Sequence, residues 1–583
     1  MSRASIAFPA RAALIGCLLA GVYATIGFVH VNTDLKSYSL ICLGMLVASC
    51  LAVWLSGVAF ATVLDRLVPD VPIEALIPIG SALSGFICFA SWFCSPQIGI
   101  AISIALAIVS GISIASRPAP LARLAPSVGI ALMLALFYAS IIYGHHSERG
   151  GSDLVSRMYY NEADSYIPEF YTQHLIEGRQ SLKTQFGDWN SSDRPLLQTG
   201  MMVFQYSIAR AVSRPSVSLF LGIACNMTWV FGLLGFLRAS GLNRFASRYV
   251  VIATALLTPM FINGIYTWPK LLAAALALSG GAILLSKVSR PMPTALLLGS
   301  AFALAMLAHG AVAFGLIGLL PLWLFNHQLR NLKTVALIAI GAAVLYAPWI
   351  VYQKKFDPPG DRLIKWHLAG VVPVTEKPVL QTIVDTYRDV GISGAVSNKI
   401  ENFAVLTGMT SVGFPHPHGP FDAWGDSSLG RLKQAMMCYV GISPFAALLG
   451  VPLMFISRVR RGAWVVPTTS VITLTAIAYC LLEFGGNIQS LAWLHTSPYV
   501  LLILWCALGP LAAIHHSKAA AATLLSLIAI SFAAFWQLGR TVAADPGFFI
   551  GMPDYTMRAL QTIIGCALLV IAWRSMVLGH AEG

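Results

Sequence analysis

The chain has 583 residues, of which 57% are apolar and only 10% charged, with a mean hydropathy of +0.74 and a net charge of +13. Soluble domains carry about 25% charged residues, so this composition excludes a water-soluble enzyme, a soluble nucleic-acid-binding protein and a disulfide scaffold. Apolar runs of about 18 residues or more recur along the chain, each long enough to cross roughly 30 Å of hydrocarbon as a helix.

In chain order the spans are predicted at 10–30, 37–64, 73–94, 97–115 and 127–144. After a polar stretch they follow at 216–237, 249–265, 268–286, 293–309, 311–326 and 334–352, and after a second one at 434–457, 464–483, 497–514, 519–538 and 556–576. The expectation is an all-α polytopic membrane protein with about sixteen transmembrane helices. Arg3 and Arg11 precede an apolar run to His30, which reads as a retained first helix rather than a cleaved signal. Arg117/Arg123, Arg238/Arg244/Arg248, Lys287/Arg290, Arg330/Lys333 and Arg458/Arg460/Arg461 then share one side, which the positive-inside rule makes cytoplasmic, with both termini. Segment 196–213 is apolar enough to span, but counting it would put Arg238, Arg244 and Arg248 outside. It is therefore read as an amphipathic helix on the outer membrane surface. All 10 cysteines lie in apolar stretches, so no disulfide or thiolate–metal framework is expected. Neither a P-loop nor a Rossmann fingerprint occurs.

Four units follow from this layout: an N-terminal four-helix membrane module over 1–125, a core over 126–352 with a first outer loop at 145–198, a second outer loop over 353–433, and C-terminal membrane helices over 434–583. Most of the 24 acidic residues fall in the two loops. Ion-coupled transporters instead bury ionisable groups near the bilayer midplane. Here only Glu74 and Glu483 fall within predicted spans, each at an end, so any chemistry is expected at the outer interface.

The first loop reads YYNEADSYIPEFYTQHLIEGR over 159–179 and FGDWNSSDRPLLQTG over 186–200. Glu162 or Asp164 could serve there as a general base, a carboxylate with few water partners having a raised pKa. The bland alternative makes them helix caps or solvated loop charges. Arg194, Lys270, Lys354, Lys355, Arg362 and Lys365 fall on the predicted outer face, where cations are disfavoured. They are anion ligands, or they snorkel to lipid headgroups. His416, His418 and Asp422 offer an incomplete ligand set for a divalent metal. His309 contacts a substrate or caps a turn. Trp366, Trp424 and Trp493 stack on sugar rings or anchor the interface.

Asn161-Glu162-Ala163-Asp164, Tyr166, Leu175-Ile176-Glu177-Gly178 and Asp193-Arg194-Pro195-Leu196-Leu197, in that order after a span, resemble the GT-C superfamily. These are polytopic glycosyltransferases, among them the protein O-mannosyltransferases and aminoarabinose transferases, that use polyprenyl-phosphate sugars. Tyr266-Thr267-Trp268-Pro269-Lys270, Leu307-Ala308-His309-Gly310 and FDPPGDRLIKWHLAG over 356–370 extend the resemblance, which covers roughly 127–460. It implies a GT-C-like core with two large outer-face loops containing amphipathic helices, located in the inner (plasma) membrane. It also implies inverting transfer of a sugar from a polyprenyl-phosphate donor to a glycan, lipid or protein acceptor, without nucleic acid. Asp164 or Glu162 would be the base, and Asp164 is favoured because it begins a helix whose N–H groups and dipole hold a carboxylate. Arg194, Lys270, Arg362 and Lys365 would meet the donor phosphate, and Tyr166, Trp268 and His309 the substrate. No metal site is committed. Four additional spans precede the one that leads into the acidic loop, where the family has only that one, and no adjacent Asp-Glu pair occurs. A transporter or flippase of a lipid-linked sugar is the rival reading.

Overall fold

The computed structural model describes residues 39–143, 163–179, 185–186, 189–190, 193–209, 215–265, 268–356, 358–407, 451–485, 498–533 and 555–581. Apart from one antiparallel pair, β1 (Gln185–Phe186) with β2 (Trp189–Asn190), its regular structure is helical. The helices are α1 (Ser39–Leu67), α2 (Ile73–Cys94), α3 (Pro96–Ser116), α4 (Pro118–Tyr143), α5 (Ala163–Ile176), α6 (Leu197–Ala209), α7 (Pro215–Asn226), α8 (Trp229–Ala239), α9 (Arg244–Ala255), α10 (Thr258–Ile265) and α11 (Lys270–Leu285). There follow α12 (Pro291–Ala308), α13 (Ala313–Gly318), α14 (Leu320–Phe325), α15 (Leu332–Phe356), α16 (Arg362–Ala369), α17 (Val379–Thr407, interrupted at Gly391), α18 (Ser457–Arg460), α19 (Val465–Leu482), α20 (Tyr499–His516), α21 (Lys518–Ala533) and α22 (Tyr555–Ala581).

Ten helices among the described residues are long and apolar enough to cross a membrane, or 11 if the bent pair α9–α10 is one span. The protein is thus a multi-pass membrane protein with fewer demonstrable spans than the sixteen expected. The expected span 10–30, and most of 434–457, lie outside the described residues. Others are shortened or broken for local reasons. Pro259 cannot donate to the ladder and its ring crowds residue 255, and α9 and α10 meet at an 81° bend. Segment 311–326 breaks into a 3-10 turn and two 6-residue helices around Gly318 and Pro321. Helix α11 has 16 residues, about 24 Å of rise, and all but its last residue are buried.

Helix α11 is central, packing against α2, α8, α12 and α20, while α2 also packs against α1, α3 and α6. Buried polar tips tie the helices where no water competes. The Trp54 indole donates to Ala224 O at 2.9 Å, Tyr138 to Ala255 O at 2.6 Å, and Tyr249 to Ala521 O at 2.7 Å. At one end of the bundle Arg238 Nη1 donates to both carboxylate oxygens of Glu74, at 2.7 and 2.8 Å, joining α2 to α8.

The expected surface helix is instead an interior one. Leu197 to Gln205 are buried, and α6 packs on α2, α3, α5 and α7. A Cβ on Gly200 would stand 2.0 Å from Gly85 O, so only glycine permits the approach. Its polar residues are covered by protein: Gln198, Thr199 and Gln205 are all buried. Helix α16, by contrast, is amphipathic, with Arg362, Lys365, Trp366 and Ala369 on its buried side.

Candidate functional site

A cavity of about 360 Å³ lies at the C-terminal ends of α12, α15 and α19, roofed by α16. Its polar wall combines segments far apart in sequence: Asp193 and Arg194, His309 after α12, Gln353, Asp361 and His367. Tyr346, Trp349, Trp366 and Phe314 supply aromatic surface. A second cavity, of about 270 Å³, is lined almost wholly by apolar groups, with Phe86, Phe89 and Phe93 of α2, Leu196, Leu307, Pro348 and Tyr352. Trp349 lines both cavities, and Pro195 of the first is followed directly by Leu196 of the second.

The roof is held by charges paired within the protein. Arg362 donates to Asp193 Oδ2 at 3.3 Å and to Val372 O at 2.6 Å, with both charged side chains 3% exposed. Lys365 reaches Asp361 at 2.7 Å, one helical turn away, and Thr375 O at 2.6 Å. His367 Nδ1 lies 3.1 Å from Glu483 Oε2, and Phe484 N–H donates to His367 O at 2.6 Å, which docks α16 on the end of α19. Lys399 and Asn402 of α17 both donate to Glu483 O, at 2.6 and 2.8 Å. Burial lowers the Lys399 ammonium from its ordinary value, against the pull of Glu483. Helix α16 stops at Gly370, whose φ of 70° is left-handed, and a Cβ there would meet Phe484 at 2.4 Å.

The structure therefore gathers Arg194 and His309 at one cavity. His309 also caps the following 3-10 turn, its Nδ1 accepting from Ala311 N–H at 3.2 Å, as the turn-capping reading expects. Arg362 and Lys365 adjoin the cavity through α16, but their cationic groups have protein acceptors. Lys270 stands elsewhere: its Nζ is 4.0 Å from the centroid of Trp268 and 5.2 Å from that of Tyr499, and it is 4% exposed. It is a cation held by aromatic faces. Asp164 and Tyr166 fall in the first turn of α5, as the helix-start reading of Asp164 expects. Glu162, His416, His418 and Asp422 lie outside the described residues. Among the described residues no group of three or more His, Cys, Asp or Glu could hold a metal.

Asp193, Trp349, His367 and Glu483 were not singled out as functional from the sequence. Asp193 adjoins Arg194, and Glu483 is an acid at the end of a span, a rare placement that could have marked it. Nothing in the local pattern pairs His367 with a residue 116 positions away. No protein-family model, curated protein or solved structure matches the chain.

Proposed function

We propose that this chain is a membrane glycosyltransferase of GT-C type. It transfers a sugar from a polyprenyl-phosphate donor to an acceptor at the outer face of the inner (plasma) membrane, with inversion. The observation that carries the reading is the adjacency of the two cavities. An amphiphile with an anionic, sugar-bearing head and a prenyl tail needs a polar chamber opening beside an apolar one, and here Trp349 belongs to both. Volumes of this order suit small-ligand sites, which span about 300–1,000 Å³.

In this reading Asp164, or Glu162, takes the proton of the acceptor hydroxyl. The oxygen attacks the anomeric carbon, and the bond from that carbon to the phosphate oxygen breaks with its electron pair on the phosphate. Arg194, lining the polar chamber, meets the charge that develops there. Arg362 and Lys365 build the roof rather than hold the phosphate, because their donors serve Asp193, Asp361 and the 372–375 backbone.

The test is transfer of label from radiolabelled polyprenyl-phosphate sugars in membranes carrying wild type, Asp164→Asn, Glu162→Gln or Arg194→Ala. Loss of transfer in one carboxylate variant at unchanged expression is expected, with a fall of about 100-fold or more for a lost general base. Undiminished transfer in both carboxylate variants overturns the assignment. A flippase is the second reading, favoured by the 81° break between α9 and α10 and the interrupted segment 311–326. It predicts label that changes leaflet but never leaves its carrier.

A further inference from the structure

A third cavity, of about 480 Å³, lies at the other end of α11, between that end, the end of α14 and the start of α19. Its walls are cross-braced. Asn326 donates to Leu284 O at 2.8 Å, Val288 N–H to Gln328 Oε1 at 3.0 Å, and the Trp323 indole to Leu329 O at 3.1 Å. The concavity is thus built by two chain segments locked together, rather than left between loose side chains.

The lining changes character within one turn. Leu322 and Phe325 of α14 and Val466 of α19 are its apolar side, with Phe325 72% and Val466 63% exposed. Lys287, His327 and Gln328 are its polar side. Such a step from exposed hydrocarbon to charge marks a membrane–water boundary. The charge is mostly positive: neither Asp nor Glu occurs over 281–335 or 451–470, whereas Lys287, Arg290, Arg330, Lys333, Arg458, Arg460 and Arg461 do. Asp70, an anion bonded to Ser289, acts on Lys287 and Arg290 through space, one acid against these cations. The Arg330 guanidinium contacts His327 Nδ1.

We propose that this cavity binds an anionic phospholipid, with its phosphate at Lys287 and His327 and an acyl chain along Phe325 and Val466. Charge complementarity selects an anionic head over a zwitterionic one, and the exposed apolar wall selects a lipid over a free anion. The site is separate from both cavities described above, so it stands whether or not the chain transfers sugar.

The test is native mass spectrometry of the full-length protein from mixed micelles holding equal phosphatidylglycerol and phosphatidylcholine. Wild type is expected to retain phosphatidylglycerol preferentially. Lys287→Gln should lose about fivefold of that preference, as expected for one removed cation at a membrane surface, with His327→Gln in the same direction. Lys518→Gln, a control cation on α21, should lose none. Val466→Trp, which fills the apolar side without changing charge, should also lower retention. Equal retention of the two lipids by wild type, an equal loss in Lys518→Gln, or unchanged retention in both Lys287→Gln and Val466→Trp overturns the site. Displacement of the lipid by an equal concentration of inorganic phosphate overturns the assignment to a lipid.

Discussion

Asp193 and Arg362, 169 residues apart in the chain, meet at 3.3 Å with each side chain 3% exposed. The pair fastens the segment before α6 to the first turn of α16, and so closes one wall of the polar cavity. Removing one partner strands a buried charge, which costs about 3–5 kcal/mol. Asp193→Ala should therefore lower the thermal unfolding midpoint in detergent sharply, while Asp193→Leu with Arg362→Met should recover much of the loss. A double variant no more stable than the single one refutes this account.

Glu74 and Arg238 make a similar contact with better geometry, yet the expected effect is smaller. The Glu74 side chain is 5% exposed but that of Arg238 is 38% exposed, so water screens the cation and takes it up when the pair is broken. Glu74→Gln should cost about 1–2 kcal/mol, the range of a charge-assisted bond partly replaced by an amide. Comparing its unfolding midpoint with that of Asp193→Ala tests the ranking directly.

Helices α12 and α15 approach through a reciprocal pair of glycines. A Cβ on Gly299 would lie 1.9 Å from Ile338 O, and one on Gly341 would lie 2.4 Å from Leu296 O. Small residues that let backbones touch are a recurrent basis of helix association in membranes. Gly299→Val or Gly341→Val should prise the two spans apart, lowering the yield of folded protein on size exclusion. Because both cavities share Trp349 of α15, either change should also distort their walls.

Asp70 accepts bonds from the Ser289 hydroxyl and backbone N–H, which hold its carboxyl below the ordinary value of 3.8. A carboxyl whose folded pKa is depressed stabilises the fold fully above its unfolded value, and that contribution shrinks below it and is lost as pH falls through the folded value. Wild type should lose its small advantage over Asp70→Asn in unfolding midpoint as pH drops from about 5 to about 3. An advantage that grows on acidification would contradict the bond.

Much of the membrane architecture was legible in the chain. The 73–94 span is the helix Ile73–Cys94, and the spans at 97–115, 293–309, 334–352 and 464–483 agree with α3, α12, α15 and α19 to within four residues at either end. Apolar length and bounding Pro, Ser or charge are local properties, so they survive folding unchanged. The reading of 196–213 as a surface helix, drawn from the side of Arg238, Arg244 and Arg248, went astray because burial is not local: Gln198 and Gln205 are buried in a helix that packs on α2, α3, α5 and α7.

What the sequence determined by itself was the solvent. Its hydrocarbon content and the near absence of charge from long runs force helices that satisfy their own backbone bonds in lipid. It also marked Arg194 and His309 as residues worth placing. Only the tertiary structure decided which charges line a cavity and which are buried in holding the fold. Arg194 and Arg362 look alike as outer-face cations in the sequence, yet one lines the cavity and the other is clamped between Asp193 and Val372. That difference rests on partners 169 and 10 positions away, and a side chain's partners are set by packing rather than by its neighbours along the chain.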